Sequence, residues 1–364
     1  MIVLAAAVVM ALAFAISFLA VPIAARMAHR FGMVDMPGRH KHHTRPTPLL
    51  GGCAIFAAVL LPSLLALSLA SVWAAEGVPS WLPAAVAVHV PGAAAKAPQA
   101  VGILACAMLL HVVGIIDDRK QLGPWLKLIA QFVACFVVVV VFDVRVLTAL
   151  GGWPSAAATI LWLMTITNAF NFLDNMDGLS AGVAAICAAA LLGAAGSIGQ
   201  LFVAGWLCVI LGALAGFLPH NFPPARVFMG DAGSLVVGFL LGVVSCLTTY
   251  VRPGQTYYLY GAFVPVVLMA VPLYDMVSVI TLRLRDRRSP MVGDRRHFSH
   301  RLVRRGMNPR TAVLTIYLCT AGTAIAAGLL PRVDDVGAVL VLAQTVAILL
   351  IIALLESADG KSRP

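Results

Sequence analysis

Residues 156–197 read AAATILWLMTITNAFNFLDNMDGLSAGVAAICAAALLGAAGS, in which one polar stretch separates two apolar runs. The apolar runs, at 156–170 and 181–197, have the composition of membrane-spanning helices, although both are short for that role. The stretch between them is rich in Asn, Asp and Gly and contains no Lys or Arg. The same alternation of apolar runs and short polar stretches recurs from one end of the chain to the other, so this segment predicts the plan of the whole fold.

The composition indicates an integral membrane protein. Hydrophobic residues make up 61% of the 364 residues and charged residues only 11%, whereas a soluble domain carries roughly 25% charged residues. The runs are too long for barrel strands, which would appear as alternating segments of about 10 residues. The sequence predicts an all-α fold, a polytopic membrane helical bundle with 10 or 11 transmembrane helices. The candidate spans are 2–25, 50–73, 100–116, 125–142, 156–170, 181–197, 200–218, 233–250, 259–282, 311–330 and 336–355.

The distribution of basic residues predicts the topology. No basic residue precedes the first run and Arg26 and Arg30 follow it, which indicates a retained span with the N-terminus outside. With eleven spans, 21 of the 25 Lys and Arg residues fall on one side, and the positive-inside rule assigns that side to the cytoplasm. We therefore expect one transmembrane domain at 1–355 and a short cytoplasmic tail at 356–364. The net charge of +10 reflects this topology, and no basic domain with interleaved aromatic residues suggests nucleic-acid binding.

Four polar stretches fall on the predicted cytoplasmic side. Acids and amides near the hydrocarbon core are costly and usually functional. In the first stretch, Asp117 and Asp118 suit a divalent cation, or one metal ligand and one base. For this stretch alone, an equally good interpretation is an acid pair at the membrane interface that balances the charges of Arg119 and Lys120.

The second and third stretches combine amides, carboxylates and glycines. Asn168, Asn171, Asp174 and Asp177 recur every three residues, and such groups can bind Mg²⁺ or hydrogen-bond a base and a ribose. Asp231, which glycines flank on both sides, suits a metal-binding carboxylate beside a helix N-terminus. The alternative for both stretches is the capping of helix ends, where Asn and Asp are favoured.

The fourth stretch, at 295–301, and the loop after the first span are both basic and contain histidines. His297 and His300 lie beside Arg301 with no third ligand nearby to complete a zinc site, so binding of a phosphate group fits better. In the loop after the first span, Lys41 and His43 could attract a lipid phosphate, although the topology bias explains that loop equally well. Together the stretches predict a metal-and-phosphate site at the membrane surface, where a water-soluble phosphorylated donor meets a lipid acceptor.

With these residues assembled, the chain resembles the polyprenyl-phosphate N-acetylhexosamine-1-phosphate transferases. Six motifs carry the resemblance, in the order that the superfamily has them. They are Asp35-x-Pro37 with Lys41-x-His43-x-x-Pro46-Thr47-Pro48-x-x-Gly51-Gly52, Gly114-Ile115-Ile116-Asp117-Asp118 with Lys127 and Gln131, Asn168-x-x-Asn171-x-x-Asp174-x-x-Asp177-Gly178-Leu179-x-x-Gly182, Phe228-x-Gly230-Asp231-x-Gly233-Ser234-x-x-x-Gly238-Phe239, Pro272-x-x-Asp275, and His297-x-x-His300-Arg301-Leu302.

The resemblance implies transfer of a sugar 1-phosphate, in the first instance N-acetylglucosamine 1-phosphate, from a UDP-sugar to undecaprenyl phosphate. The products would be undecaprenyl-pyrophosphate-sugar and UMP, and the cofactor Mg²⁺ or Mn²⁺. This is the first membrane step of cell-envelope polysaccharide synthesis, at the cytoplasmic face of the bacterial inner membrane. The resemblance leaves a homodimer open.

The same resemblance implies roles for individual residues. Asp117, Asp118 and Lys127 would act on or hold the reacting phosphates, and Asn171 and Asp231 would bind the metal. Substrate binding would fall to Lys41, His43, Asn168, Asp174, Asp177, His297, His300 and Arg301.

Three departures from the superfamily pattern bear on these roles. His40 stands where an arginine is usual, Asn175 replaces a common glycine, and the last loop reads His-Phe-Ser-His rather than three consecutive histidines. The last departure favours an N-acetylglucosamine donor over a MurNAc-pentapeptide donor. The competing classes are a multi-span transporter, whose acids would lie near the bilayer midplane, and a CDP-alcohol phosphotransferase, whose signature arginine is replaced by Gly182.

Overall fold

The computed structural model describes residues 1–36, 46–250, 258–289 and 296–357, and nearly all of its regular structure is helical. A two-residue strand β1 (Val34–Asp35) pairs antiparallel with β2 (Thr47–Pro48). In chain order the helices are α1 (Ile2–Phe31), α2 (Gly51–Glu76), α3 (Ala84–Ala87), α4 (Val90–Lys120), α5 (Pro124–Val140), α6 (Gly152–Leu173), α7 (Leu179–Ser197), α8 (Leu201–Asn221), α9 (Asp231–Leu247), α10 (Tyr258–Gly261), α11 (Val264–Leu268), α12 (Ala270–Arg285), α13 (Phe298–Arg304), α14 (Pro309–Leu329) and α15 (Asp335–Ser357).

The helices confirm an all-α polytopic membrane protein. Within the described residues, eight helices are long and apolar enough to cross a membrane, and α5 and α9 are apolar but shorter, with 17 residues each. These ten helices coincide with ten of the eleven predicted spans. The remaining span, at 259–282, is broken into α10, α11 and α12. The number of crossings and the sides on which the termini lie stay predictions.

Two boundaries differ from those that the sequence suggested. The proline-rich stretch before 100 indicates a connector, but α4 already begins at Val90. Pro91 lies in the first turn, where the missing N–H would have no helical partner in any case. Pro98 lies further inside, where it removes one hydrogen bond without ending the helix. At the other end of the chain, α15 extends to Ser357, so Glu356 lies on a helix rather than in the tail.

Helix α9 is at the centre of the bundle. It packs against α2, α4, α6, α7 and α8, and every residue from 232 to 245 is buried. A helix that is hydrophobic on all sides is stable only inside such a packing. The polar first turn of α9 therefore lies among the ends of its neighbours, and this places Asp231 between α4, α5 and α6.

Glycines allow α2 and α4 to approach the first turn of α9 closely. A Cβ atom on Gly52 would lie 2.2 Å from the backbone nitrogen of Gly233, and one on Gly114 would lie 2.5 Å from Cα of Ala232. No side chain fits at such distances without movement of the backbone. The position of the α9 N-terminus is thus set by contacts between backbones.

Candidate active site

Four predicted residues from four helices form one hydrogen-bond network. Lys127, at the start of α5, donates from Nζ to Asp117 Oδ2 and to Asp231 Oδ2, each at 2.9 Å. The second oxygen of Asp231, Oδ1, accepts a hydrogen bond from Asn171 Nδ2 at 2.9 Å. The same amide lies 2.9 Å from Ser234 Oγ. The fold therefore joins the predicted catalytic and metal-binding residues around Asp231.

The neighbouring acids Asp117 and Asp118 make different contacts. Asp118 accepts hydrogen bonds from the backbone nitrogens of Asp231 at 2.8 Å and Ala232 at 3.1 Å. The first N–H groups of a helix have no partner within the helix, and a carboxylate there is favourable. Adjacent helical residues point about 100° apart, so Asp118 anchors α9 while Asp117 faces Lys127.

Three residues of this network carry oxygen atoms suited to a hard divalent cation. Asp117 Oδ1 is buried and has no hydrogen-bond partner within the described residues, and the Asp231 carboxylate accepts hydrogen bonds from both Lys127 and the Asn171 amide. In the same part of the chain, no cluster of three or more His, Cys, Asp and Glu side chains could hold a metal ion. Mg²⁺ needs only one or two carboxylates from the protein, because it usually keeps several waters and binds substrate phosphates. The residues present therefore fit Mg²⁺ or Mn²⁺.

A cavity of about 270 Å³ opens beside the network. Its walls bring three basic side chains, Lys127, Arg283 and His297, together with several of the predicted polar residues. The lining residues are Pro124, Lys127, Leu128, Gln131, Asn168, Asn171, Phe172, Asp174, Asn175, Arg283 and His297. A site of this kind favours a ligand that carries several negative charges.

The structure adds Arg283 to the candidate residues. The sequence places it among ten basic residues of one loop, where it looks like a topology signal. In the fold it belongs to α12, is buried, and its guanidinium lies 5.2 Å from the centre of the Phe172 ring. Its position at the end of an apolar span, before the loop proper, was the signal available in the sequence.

Asn168 and Gln131 are paired at the cavity wall. Asn168 Nδ2 donates to Gln131 Oε1 at 2.6 Å, and Gln131 Nε2 lies 3.4 Å from Asn168 Oδ1. Asn168 Nδ2 also donates to the backbone oxygen of Met164 at 2.8 Å. The pair fixes the orientation of both amides, so the predicted substrate-binding residue Asn168 presents a rigid polar surface to the cavity.

The two aspartates at 174 and 177 are in different surroundings. Asp174 lines the cavity, and its pKa is raised well above the ordinary value by burial and by the charges of Asp231 and Asp118, against a hydrogen bond from the backbone of Gly230. Asp177 instead accepts a hydrogen bond from the backbone nitrogen of Ala225 at 2.8 Å. It therefore ties the 174–178 turn to the segment that follows α8.

Further bonds reinforce that turn. Asn221 Oδ1 accepts from the backbone nitrogen of Gly178 at 3.0 Å, and its Nδ2 donates to the Val227 oxygen at 2.9 Å. Tyr317 donates from its hydroxyl to the Gly178 oxygen at 2.5 Å. These two residues carried no signal in the sequence, because each acts through a backbone atom of a distant segment.

The residues of the last basic loop are separated by the fold. His297 lines the cavity, and the ring of His300 lies beside it with centroids 6.3 Å apart. Arg301 points away, with Nη2 at 2.9 Å from Ser278 Oγ and at 2.9 Å from Glu356 Oε2. Arg301 thereby docks α13 against α12 and α15. The two remaining candidates, Lys41 and His43, lie outside the described residues.

Comparison with known proteins finds a matching family model and several relatives. The model of the family described as "Glycosyl transferase family 4" matches residues 100–249, which include most of α4 and the whole of α5 to α9. A Bacillus subtilis protein named "Probable undecaprenyl-phosphate N-acetylglucosaminyl 1-phosphate transferase" is 31% identical over 84% of this chain and 80% of its own length. The decaprenyl-phosphate N-acetylglucosaminephosphotransferase of Mycolicibacterium smegmatis is 32% identical over 93% and 86%, respectively. The undecaprenyl-phosphate alpha-N-acetylglucosaminyl 1-phosphate transferase of Escherichia coli K12 is 28% identical over 82% and 76%.

Proposed function

Since this chain belongs to glycosyl transferase family 4, we propose that it transfers N-acetylglucosamine 1-phosphate from a UDP-sugar to polyprenyl phosphate. The products are polyprenyl-pyrophosphate-N-acetylglucosamine and UMP. The observation that carries the proposal is the shared ammonium of Lys127, which joins Asp117 and Asp231 at the edge of a cavity with basic walls. The names of the relatives support the sugar and the polyprenyl acceptor.

The reaction is a phosphoryl transfer. An oxygen of the lipid phosphate attacks the β-phosphorus of the UDP-sugar, the bond from that phosphorus to the bridging oxygen breaks, and UMP leaves with the electron pair. The second pKa of a phosphate monoester is about 6, so the acceptor is already largely dianionic at neutral pH. The enzyme needs positioning and charge stabilisation more than a strong base.

The side chains in and beside the cavity have different roles in this transfer. Lys127 and Arg283 offer positive charge and hydrogen-bond donors to the diphosphate, and His297 adds an imidazole that can form a hydrogen bond. The effect of the charges is larger in a half-buried site than in water. Asp117 orients Lys127 through the 2.9 Å bond, and Asp118 holds the helix that carries Asp231. We assign Asp117 and Asp118 to positioning rather than to proton abstraction.

The proposed cofactor is Mg²⁺ or Mn²⁺. Asp231, Asn171 and the buried Oδ1 of Asp117 are the protein atoms that would hold it. When bound, such an ion would offset the negative charge that moves onto the leaving UMP.

The proposed location is the bacterial plasma membrane, with the site facing the cytoplasm. The excess of 21 of 25 Lys and Arg residues on one side supports this orientation. The ends of α4, α6 and α12 and the start of α9 contribute to the site, and all of them belong to that predicted side. A UDP-sugar would reach the site from the water, and the lipid phosphate would reach it from the membrane.

The test is release of UMP by the purified protein in detergent with undecaprenyl phosphate and Mg²⁺. UDP-N-acetylglucosamine and UDP-MurNAc-pentapeptide are supplied separately. Asp231→Ala should abolish release, whereas Asp143→Ala should retain it, because Asp143 is largely exposed and follows the far end of α5. Release only with the pentapeptide donor would contradict the proposed donor. Flux of an intact substrate across vesicles without UMP release would favour the transporter.

A further inference from the structure

Asp275 is a buried acid to which the proposed transfer assigns no role. It lies in α12 and has no exposed surface. Its Oδ2 lies 2.7 Å from His297 Nδ1 and 3.5 Å from Asn175 Nδ2. Its Oδ1 accepts from the backbone nitrogen of Phe298 at 3.1 Å. Both oxygens are thus directed at the segment that carries His297.

These contacts determine how the His297 ring is placed. An ionised carboxylate only accepts hydrogen bonds, so Nδ1 of His297 carries a hydrogen and donates it to Asp275. The ring also meets Phe172 edge-on, with centroids 5.9 Å apart. Held on two sides, the ring lines the cavity, and Nε2 is the nitrogen left for a ligand.

The burial of Asp275 favours a charged partner. A carboxylate removed from water is costly unless it is paired and hydrogen-bonded. An imidazolium at His297 provides that pairing through Nδ1–H and keeps a second donor at Nε2–H. A phosphate oxygen is a suitable acceptor for such a charge-assisted hydrogen bond.

We propose that Asp275 is a positioning residue that holds His297 as an imidazolium whose Nε2–H binds a phosphate oxygen of the sugar-diphosphate donor. The inference rests on the proposed function, because it assumes a diphosphate in the cavity. Asp275 touches neither substrate nor metal and acts through His297. The proposal gives a role to the Pro272-x-x-Asp275 motif, for which the sequence alone indicated no role.

Helix α13 is also held by a second contact, so the positioning of His297 by Asp275 can be distinguished from simple support of this helix. Ser299 donates from Oγ to Asn175 Oδ1 at 2.5 Å, so α13 is docked by more than the Asp275 contacts. In Asp275→Asn, the amide oxygen can still accept from Phe298, while the amide NH₂ faces Nδ1 and removes its hydrogen-bond acceptor. Ser299→Ala is the matched control, because it weakens the docking of α13 and leaves the Asp275–His297 pair intact.

The experiment is a double-mutant cycle of kcat/KM for UDP-N-acetylglucosamine. Loss of a donor to the reacting phosphates costs about 100-fold or more, so His297→Ala should lower kcat/KM by that factor and Asp275→Asn by about 10-fold or more. The double variant should be no worse than His297→Ala, because Asp275 acts through His297. Ser299→Ala should change kcat/KM by less than Asp275→Asn does.

Nitrogen NMR of ¹⁵N-histidine-labelled protein gives a readout that is independent of turnover. Compared with His297→Ala, the wild type should show a His297 signal with both nitrogens protonated, and Asp275→Asn should lose the hydrogen at Nδ1. Additive kinetic effects, an equal loss in Ser299→Ala, or a wild-type Nδ1 without hydrogen would overturn the inference. If the wild type released no UMP with any donor, the proposed function would fail, while the spectrum would still test the pair.

Discussion

The two sides of the candidate site are held in place by different forces. The acidic wall of the site, formed by Asp117, Asp118 and Asp231 beside the cavity, rests on helices whose backbones touch at Gly52 and Gly114. The basic wall, formed by Arg283 and by α13 with His297, is held by side-chain hydrogen bonds and ion pairs. Close packing in a buried core allows little adjustment, whereas single side-chain bonds contribute about 1 kcal/mol each and can be replaced.

The difference suggests a division of tasks. A wall fixed by backbone contacts suits the reacting phosphates, because a displacement of about 1 Å can cost about 100-fold in rate. A wall fixed by side chains suits recognition of the donor, which varies among enzymes that share one reaction. Outside the Asp275–His297 pair, which is proposed to act on the diphosphate itself, substitutions should therefore be tolerated less well on the acidic wall than on the basic wall.

The largest effect should come from Lys127→Met, which removes the ammonium shared by Asp117 and Asp231. We expect kcat to fall by about 10²- to 10³-fold, the usual cost of removing one stabilising donor. Steady-state UMP release checks this. Lys120→Met, outside the network, should behave like the wild type, and a loss in Lys127→Met that merely tracked a lower melting temperature would contradict the assignment.

Gly52→Ala tests whether backbone contact sets the acidic wall. The new Cβ would collide with the Gly233 nitrogen, which should lower the free energy of unfolding by about 1–3 kcal/mol and the activity by about 100-fold. Gly92→Ala is the control, because nothing lies within 4 Å of its Cβ position. Thermal unfolding in detergent and UMP release measure both effects, and equal behaviour of the two variants would argue against the close contact.

Asp118→Asn should have an intermediate effect. Its amide can accept from only one of the two backbone N–H groups that Asp118 binds, so Asp231 should be held less firmly. Groups that orient a metal ligand typically contribute 10- to 100-fold, and we expect a loss of about that size in kcat at fixed Mg²⁺. Activity should recover partly at higher Mg²⁺, and recovery at high pH instead would indicate that Asp118 acts as a base.

The smallest effect should come from Glu356→Gln in α15, which supports the basic wall through Arg301. Glu356 accepts from Tyr274 and pairs with Arg301, and the glutamine can keep one hydrogen bond to either partner. We expect a rise of a few fold in KM for the UDP-sugar with kcat nearly unchanged, corresponding to about 1 kcal/mol. A loss as large as that of Asp118→Asn would contradict the difference between the two walls.

Much of the site could be predicted because its residues stand out against an apolar background. Asp117, Lys127, Asn171 and Asp231 are polar groups at the ends of apolar runs, where such groups are rare. Arg301 was harder, because its position beside two histidines does not reveal that it turns towards Glu356. Arg283 was obscured because it resembles a topology charge, and Asp275 was part of the Pro272-x-x-Asp275 motif but had no role that the sequence indicated.

By itself, the sequence determined the all-α membrane fold, ten of the predicted helices and the transferase family, because hydropathy and motif order are properties of the chain read in one dimension. Only the tertiary structure decided which polar residue faces the cavity and which supports another residue. Asp117 and Asp118 are neighbours in the sequence, yet one binds Lys127 and the other binds the backbone of α9. The direction of a side chain depends on the helices packed around it, and those contacts join segments more than 100 residues apart.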